Sequence, residues 1–474
     1  MKSNTSTPNT EVKVQKSKKH FSLANWFAKN DMVETFGNAW KIADLRRKML
    51  FTLMIVLLYR IGANLYVPFV DIVGIKQNAG AWLDFSGIFG MINLFSGGSF
   101  EQASLFALSV SPYITASIVM QLLTIAIPAL ERLSKEGEEG KQKINAITRI
   151  VTVALAVITA YGYVMLLEAN GMLLIKSSNG GIYYMGVVLM VTCFCAGASI
   201  IMWLAEQINQ HGIGNGISII LFANIISRGY SMAISMFGMM KDGLGNFLKG
   251  ADLAIGITEF VISLALTIAS IGLIVWFTNS EERIRIQYAK KVVGRKMYGG
   301  QSSNLPLKMN MAGVMPVIFA SSIVSILPTV AGFTKESSGF YKVVTTFFGP
   351  STPAYILTYF VLIFAFSYFY ITISFNPVEV ANNIKNNGGS IKGYRSGSET
   401  AAYIRKHLNR ITTMGAVFLA VIAGVPMIVG ALRPSFTSLA FSGTSLLIAV
   451  GVVLEVVRDV EAQMKLRNYK GFLD

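Results

Sequence analysis

The residues of this sequence that could perform catalysis or hold a metal do not form a recognisable site. Its two cysteines, Cys193 and Cys195, lie in one apolar run, and none of the three histidines is beside them. Two thiols without further ligands do not make a metal site, so we interpret both as buried thiols. No nucleophile is paired with a base, and no cofactor is predicted.

Two glycine-containing stretches resemble nucleotide-binding loops only in part. Residues 137–141 are GEEGK, whereas a phosphate-binding loop has the longer form GxxxxGK followed by Ser or Thr. Residues 212–216 are GIGNG without a preceding strand, which indicates a tight turn rather than a dinucleotide site. Energy for any transport would therefore come from a partner or from the membrane potential.

Few ionisable residues lie within the apolar runs of the chain. Arg60 is the exception, and we interpret it as snorkelling or pairing with a polar group. A proton-coupled secondary transporter would need carboxylates near the centres of its spans, and a membrane-embedded enzyme would need a catalytic set. Both classes are therefore disfavoured. Five other ionisable residues lie toward the ends of runs: Glu168, Glu206, Arg228, Glu259 and Glu455.

Two basic stretches, residues 278–308 and 376–410, are longer than a connection between apolar runs requires. Such loops commonly set membrane topology or bind anionic lipid. Their length also fits a docking platform for an acidic protein or for RNA phosphate. Their basic residues include Arg283, Arg285, Lys290, Lys291, Arg295 and Lys296 in the first loop and Lys385, Lys392, Arg395, Arg405 and Lys406 in the second.

The elements that carry these residues are long apolar segments. Of the 474 residues, 53% are hydrophobic and only 14% are charged, whereas soluble proteins average about 25% charged residues. The charges are concentrated between apolar runs of roughly the 20 residues that cross a bilayer. We therefore predict an all-α membrane protein. Ten spans are predicted, at 49–67, 103–127, 150–169, 183–205, 217–236, 254–277, 312–333, 354–373, 411–429 and 445–457.

The first 48 residues contain no long apolar run, so no cleavable signal peptide is predicted. Residues 1–31 are rich in Lys, Ser, Thr and Asn, which is typical of a disordered tail. Residues 32–48 have helical apolar spacing and end in Arg46-Arg47-Lys48, which favours an interfacial amphipathic helix. The first span would then serve as both signal and anchor.

The positions of the basic residues predict the orientation of the chain. With the N-terminus in the cytoplasm, 32 of the 41 Lys and Arg residues fall in cytoplasmic segments and 8 on the opposite face. The positive-inside rule predicts this asymmetry. Ten spans place the C-terminal tail, residues 458–474, in the cytoplasm as well. The net charge of +16 is thus largely a topology signal.

One internal repeat divides the ten spans into two groups of five. Residues 112–123 (PYITASIVMQLL) match residues 316–327 (PVIFASSIVSIL) at five of twelve positions. They lie in the second and seventh spans, which are equivalent members of two halves at 49–237 and 238–457. Because five is odd, the halves would point in opposite directions across the membrane. Inverted repeats of this kind place a site or passage at their interface.

A further apolar segment, residues 84–99 (DFSGIFGMINLFSGGS), is too short to span the membrane. Such a segment survives at membrane depth only where it is buried in protein or lines a cavity. We interpret it as a re-entrant piece, with a short surface helix as the alternative.

Seven stretches together resemble the SecY family, the channel-forming subunit of the Sec protein translocase. They occur in order over nearly all of residues 41–474, which makes the resemblance more specific than any single motif. The stretches are YRIGANLYVP (59–68), NLFSGGSFEQASLFALSVSPYITASIVMQLL (93–123), KEGEEGKQKI (135–144), MWLAEQINQHGIGNGISII (202–220), IQYAKKVVGRKMYGGQSSNLPLKMNMAGVMPVIFASSI (286–323), FNPVEVANNI with GYRSGSETAAYI (375–404) and FSGTSLLIAVGVVLE (441–455).

The resemblance implies a passive protein-conducting channel and no enzymatic activity. Two inverted five-helix halves would surround a central pore, closed by a short re-entrant plug helix. The channel would pass unfolded secretory proteins across the plasma membrane and release transmembrane segments sideways into lipid. The implied partners are small SecE-type and SecG-type membrane subunits, the Sec motor ATPase, the ribosome, signal sequences and precursor polypeptides. A general or an accessory translocase would fit equally.

The resemblance also assigns roles to individual residues. A ring of aliphatic side chains would exclude ions when it is closed, and it would not bind a chain that passes through it. The ring would comprise Val110, Ile114, Ile217, Leu221, Ile318 and Ile448. The plug would run from Asp84 to about Gly98 and include Phe89, Ile92, Leu94 and Phe95.

Two further sets of residues are assigned in the same way. Gln121 and Asn310 match polar positions beside a lateral gate between the second and seventh spans. An interhelical hydrogen bond on the order of 1 kcal/mol could hold such a gate shut. Glu282 stands where relatives commonly have a basic residue, so the details of docking are not carried over. Partner docking is assigned to Arg283, Lys290, Arg295 and Arg395.

Overall fold

The computed structural model describes most of the chain. The described residues are Gly37, Asn93 and the ranges 39–77, 96–175, 180–229, 253–288, 291–293, 296–298, 302–332, 338–348, 352–432 and 442–470. Within these ranges the chain is mostly helical, and five short strands lie in its second half.

Seven helices are described in the first half. They are α1 (Ala43–Gly62), α2 (Ile72–Gln77), α3 (Ser111–Ala126), α4 (Pro128–Lys135), α5 (Glu138–Ala169), α6 (Gly180–His211) and α7 (Gly216–Gly229). Helix α1 runs through residue 48, so the end of the predicted interfacial segment and the first span are one continuous helix. The prediction that the second span begins at residue 103 is wrong. Ala103 and Ser109 have φ values of 47° and 51°, which an α-helix does not accommodate.

The junction between α3 and α4 is a sharp bend of 101°. Ile127 lies between the two helices in an extended conformation, with φ −108° and ψ 113°. The following residue, Pro128, disfavours helical geometry in the residue before it. Proline is also well suited to the first turn of a helix, so the same residue ends α3 and begins α4.

The second half contains seven described helices and a small sheet. The helices are α8 (Leu253–Asn279), α9 (Met315–Gly332), α10 (Gly339–Phe348), α11 (Pro353–Ser374), α12 (Pro377–Asn386), α13 (Ser398–Leu432) and α14 (Ser442–Lys470). Helix α13 begins well before the predicted start at 411, and α14 extends beyond the predicted end at 457. In α12, the side chain of Asn376 accepts a hydrogen bond from the backbone N–H of Val378 at 3.1 Å, as an N-cap residue does.

Each of the ten predicted spans overlaps one of these helices. In the described ranges, four helical segments are long and apolar enough to cross a membrane, or five if the bent α3–α4 pair forms one span. The chain is therefore a multi-pass membrane protein. The four segments are Glu138–Ala169, Gly180–His211, Pro353–Asn386 and Ser398–Val429.

The basic loops contain β-structure, so the expectation of an all-α chain is wrong there. Strands β1 (Glu281–Tyr288), β4 (Ser302–Lys308) and β5 (Gly389–Ile391) form an antiparallel sheet in the order β4-β1-β5. Strands β2 (Lys291–Val293) and β3 (Lys296–Tyr298) form a hairpin. The physical cause is the alternation of polar and apolar residues along β1, which turns Ile284 and Ile286 to one face.

The largest apolar cluster draws on helices from both halves of the chain, and a second one lies within the first half. Helix α3 packs against α5 and α9, α11 packs against α9 and α13, and α8 packs against α14. Cys193 and Cys195 are half-buried at the edge of the second cluster and not fully buried as predicted.

Candidate functional site

The six aliphatic residues assigned to the ring meet in the largest apolar cluster, although Val110 and Ile448 are 338 positions apart in the sequence. Four helices supply them. Val110 caps the start of α3 and Ile114 lies in its first turn, α7 carries Ile217 and Leu221, α9 carries Ile318, and α14 carries Ile448. Five of the six are buried, and Ile217 is half-buried against the others. This cluster can therefore form an apolar constriction.

The two repeated segments occupy equivalent positions in α3 and α9. Pro112 and Pro316 are each the second residue of their helix, and Ile114 and Ile318 follow each proline by two residues. The two helices pack against each other. The repeat therefore brings one equivalent isoleucine from each half into the same cluster.

The position of Ile448 depends on a close approach of α14 to the segment that precedes α9. A Cβ atom added at Gly451 would lie 2.4 Å from Cγ1 of Val314, far inside the usual separation of carbon atoms. Only glycine allows this approach. Because Ile448 lies about one helical turn before Gly451 on the same helix, the contact fixes its depth in the cluster.

A buried polar group lies beside the ring, and the sequence analysis missed it. The amide Nδ2 of Asn224 donates a hydrogen bond to Oγ of Ser109 at 3.2 Å, and both residues are buried. Tyr59 is buried next to them, with its ring stacked on Phe106 at a centroid distance of 5.4 Å. The signal that could have found this group is a lone asparagine in an otherwise apolar span, because a buried amide requires a partner.

Ser109 has a positive φ and directly precedes Val110. Residues other than glycine adopt this conformation only where their surroundings hold it. The hydrogen bond from Asn224 supplies such a restraint, and Asn224 lies on α7 one turn beyond Leu221. The polar group therefore links the two segments that carry Val110 and Leu221.

The residues assigned to the lateral gate lie near the α3–α9 contact but do not bond to each other. Nε2 of Gln121 is 3.5 Å from Oγ of Ser117 on its own helix, at the limit of a hydrogen bond. Asn310 is buried in the turn before α9. Among the described residues no hydrogen bond joins Gln121 to Asn310, so apolar packing between α3 and α9 holds the two helices together here.

All five residues named for the plug lie outside the described ranges: Asp84, Phe89, Ile92, Leu94 and Phe95. Contacts are described for Asn93, within the predicted plug range, and for the residues from Ser96 onward. The side-chain amide of Asn93 donates to Oε2 of Glu101 at 2.9 Å, and Glu101 lies 3.6 Å from the Arg228 guanidinium. These contacts attach the base of the predicted plug to the end of α7.

Most of the charged residues in the predicted spans have partners in the described part of the chain. Arg149 and Glu206 form an ion pair at 2.6 Å between α5 and α6. The hydroxyl of Tyr183 donates to Glu168 at 2.6 Å, and Arg60 donates to the hydroxyl of Ser227. Paired groups of this kind fix helices in place. The side chain of Glu259 lies outside the described part of the chain.

The two basic loops assigned to docking form one folded unit. Strand β5 of the second loop pairs with β1 of the first, with Ile286 opposite Ile391. Their apolar faces share a small core with α12 and the start of α13. Oε1 of Glu282 on β1 accepts a hydrogen bond from Nδ1 of His407 on α13, with 3.0 Å between the two atoms. The structure thus makes a single platform from segments about 100 residues apart in sequence.

The named docking residues are only partly described. Arg283 is exposed on β1, with Nε 2.8 Å from Oε1 of Glu281. Arg395 is exposed in the turn after β5, and within the described ranges its guanidinium makes no ion pair. Partial burial lowers the pKa of Lys308 on β4, and the nearby Arg458 lowers it further. Lys290 and Arg295 lie outside the described residues.

The fold matches solved membrane channels over most of its length. A solved structure of a protein conducting channel has a TM-score of 0.59 and 17% sequence identity, covering 88% of this chain and 92% of that one. Sec61 in a canine ribosome-channel complex from the endoplasmic reticulum has a TM-score of 0.55 and 16% identity over the same shares. The protein therefore has the fold of these channel proteins.

Sequence comparison identifies the family of the chain. The SecY family matches residues 104–457. A protein translocase subunit SecY of Streptomyces galbus is 42% identical over 447 residues, covering 93% of this chain and 100% of the relative. The chain belongs to the SecY family, and it is a channel subunit of a protein translocase.

Proposed function

We propose that the chain is a passive channel in which the six ring residues form the constriction that an unfolded secretory protein crosses. The observation that carries this proposal is their convergence, from four helices of both halves, on one apolar cluster. Aliphatic side chains exclude ions by dewetting when they are in contact. They also offer no hydrogen-bonding group that would hold the peptide groups of a passing chain.

The lateral exit for transmembrane segments lies between α3 and α9. These helices pack together through apolar side chains, and each has a repeat proline as its second residue. Helices in lipid associate without a hydrophobic driving force between them. An inserted apolar segment can therefore take the place of α3 or α9 in the contact between these two helices. The ten spans in two inverted halves, with residues 84–98 as a plug, complete this proposal.

The proposed location is the plasma membrane, with both termini in the cytoplasm. The distribution of Lys and Arg supports this orientation. A small cluster also brings Ala39 and Leu45, near the N-terminus, into contact with Val460 near the C-terminus. The two ends of the described chain therefore lie on the same side of the molecule.

The proposed partners are a motor ATPase or a ribosome, together with SecE-type and SecG-type membrane subunits. The platform made by β1, β4 and β5 exposes Arg283, Arg285 and Arg395, which suits an acidic protein surface or RNA phosphate. The ribosome-bound canine relative supports the ribosome as one partner. Because the partner supplies the energy, the channel itself needs no catalytic site.

Reversing the charge of Arg395 is expected to slow export of secreted precursors by about tenfold or more, because like charges at an interface cost several kcal/mol. Pulse-chase labelling in cells that depend on the variant measures this rate. Lys392→Glu makes the same charge change on the same loop and is expected to have a smaller effect. Equal export by the two variants, or wild-type export by Arg395→Glu at normal membrane levels, would remove Arg395 from the docking role.

The proposed passage is tested by photocrosslinking from residue 318. A photoreactive amino acid at Ile318 is expected to crosslink to a secretory chain arrested in transit, because Ile318 is part of the ring. The same probe at Val361, which is exposed on α11, is the matched control and should give no adduct. Adducts of equal yield at both positions, or none at residue 318, would contradict the proposed path.

A further inference from the structure

The turn between α6 and α7 is held by residues from both ends of the chain. Oγ1 of Thr52 on α1 accepts a hydrogen bond from the backbone N–H of Ile213 at 3.1 Å. Oδ2 of Asp459 on α14 accepts a hydrogen bond from the backbone N–H of Gly214 at 2.9 Å. The two donors are consecutive in the turn, so its backbone is fixed from two sides.

The two supports are joined to each other. Nε2 of Gln463 donates to the same Oδ2 of Asp459 at 3.3 Å, and Nζ of Lys48 donates to Oε1 of Gln463 at 3.2 Å. Thr52 in turn donates to the backbone carbonyl of Lys48 at 3.0 Å. The contacts thus form a closed chain of hydrogen bonds through α1, α14 and the turn, in which each acceptor is oriented by a second partner.

Apolar packing supports the same arrangement. The side chain of Ile213 is buried in a cluster with Ala39, Leu45 and Val460. Gly214 has a φ of 77°, and a Cβ atom added there would lie 3.0 Å from Cγ2 of Val456. The turn therefore rests directly on α14, and its backbone conformation is one that glycine adopts most readily.

The turn leads straight into two ring residues. Helix α7 begins at Gly216, and Ile217 and Leu221 follow within its first two turns. Oδ1 of Asn215 accepts a hydrogen bond from the backbone N–H of Ile217 at 3.0 Å and so caps this helix. A displacement of the turn would consequently move both ring residues.

Asp459, which accepts the hydrogen bond from Gly214, lies on α14, the helix that also carries the ring residue Ile448. Asp459 follows Ile448 by 11 residues on α14, which is about 16 Å along a helix. We infer that Asp459, with Thr52, is a positioning residue that sets α7 against α14 and so keeps Ile217 and Leu221 in register with Ile448. This inference rests on the proposed role of the ring.

The test is the resting ion conductance of the channel complex in planar bilayers. Asp459→Ala removes the acceptor for Gly214, and conductance is expected to rise at least about fivefold, as loss of one hydrogen bond to the backbone of the turn would allow. Asp459→Asn keeps an acceptor oxygen of the same shape and should restore wild-type closure. Glu461→Ala removes the same charge two residues away and is the matched control. Hydrogen exchange of residues 211–216 should be faster only in Asp459→Ala.

Three results would overturn the inference. Wild-type conductance in Asp459→Ala, where Ile114→Asn does leak, would reject the positioning role and leave the ring intact. Equal leaks in Asp459→Asn and Asp459→Ala would assign the effect to charge and not to the hydrogen bond. If neither Asp459→Ala nor Ile114→Asn leaks, the proposed ring itself is wrong. Comparable levels of monodisperse complex for all variants establish that each one folds.

Discussion

Replacing Ile114 with asparagine is expected to raise the resting ion conductance of the channel by about tenfold or more. Ile114 is buried in the apolar cluster beside Val110 and Ile318. A buried amide without partners is destabilising by about 1–3 kcal/mol relative to one that water can reach. Asparagine therefore favours entry of water into the constriction, and ions follow water. Single-channel recording in planar bilayers without a translocating chain measures the change.

The control for this prediction keeps the aliphatic character of the position. Ile114→Val removes one methylene group and is expected to leave the conductance near the wild-type value, because closure depends on apolar contact. A second control, Ile125→Asn, places the same amide on an exposed position of α3. A leak of equal size in both asparagine variants, or no leak in Ile114→Asn, would exclude Ile114 from the seal.

Joining α3 to the segment before α9 by a reducible crosslink is expected to abolish translocation and membrane insertion. Cysteines at positions 121 and 310 are placed in a background with Cys193→Ala and Cys195→Ala, because these native residues are free thiols. A covalent link prevents the two helices from separating, which lateral release requires. Export of a precursor and insertion of a membrane protein are measured before and after treatment with a reducible bis-maleimide.

Reduction of the crosslink should restore both activities in the same sample, which separates the effect of the link from that of the substitutions. Each single-cysteine variant treated with the same reagent controls for modification alone. Full insertion by channels that are completely crosslinked would mean that transmembrane segments leave by another route. Because no hydrogen bond joins Gln121 to Asn310 in this structure, the cysteine substitutions by themselves should have little effect.

Much of the fold was accessible from local patterns. Apolar runs of bilayer length predicted ten helical segments, and each overlaps a described helix, because the length of an apolar run is a property of consecutive residues. Helix ends were less accurate. The second span begins at Ser111 and not at residue 103, since Ala103 and Ser109 adopt positive φ values that composition does not reveal. The strands in the first basic loop were missed, although the alternation along β1 was present in the sequence.

The candidate site was likewise predicted only in part from the sequence. The repeat indicated that Pro112 and Pro316 are equivalent, and the family resemblance named the six ring residues. Sequence reasoning did not find the buried pair Ser109 and Asn224, because their partnership depends on residues 115 positions apart. Nor did it find the contact between Asp459 and the turn at Gly214, which joins residues 245 positions apart.

The sequence by itself determined that this protein is a multi-pass membrane protein. It also predicts which way the charged loops face and that the two halves are related. These properties depend on composition and on periodicity along the chain. Only the tertiary structure decided that the two basic loops share one sheet, and that four helices bring their aliphatic residues into one cluster. The physical reason is that such contacts arise from packing between segments distant in sequence, and the spacing of residues along the chain does not specify which segments pack together.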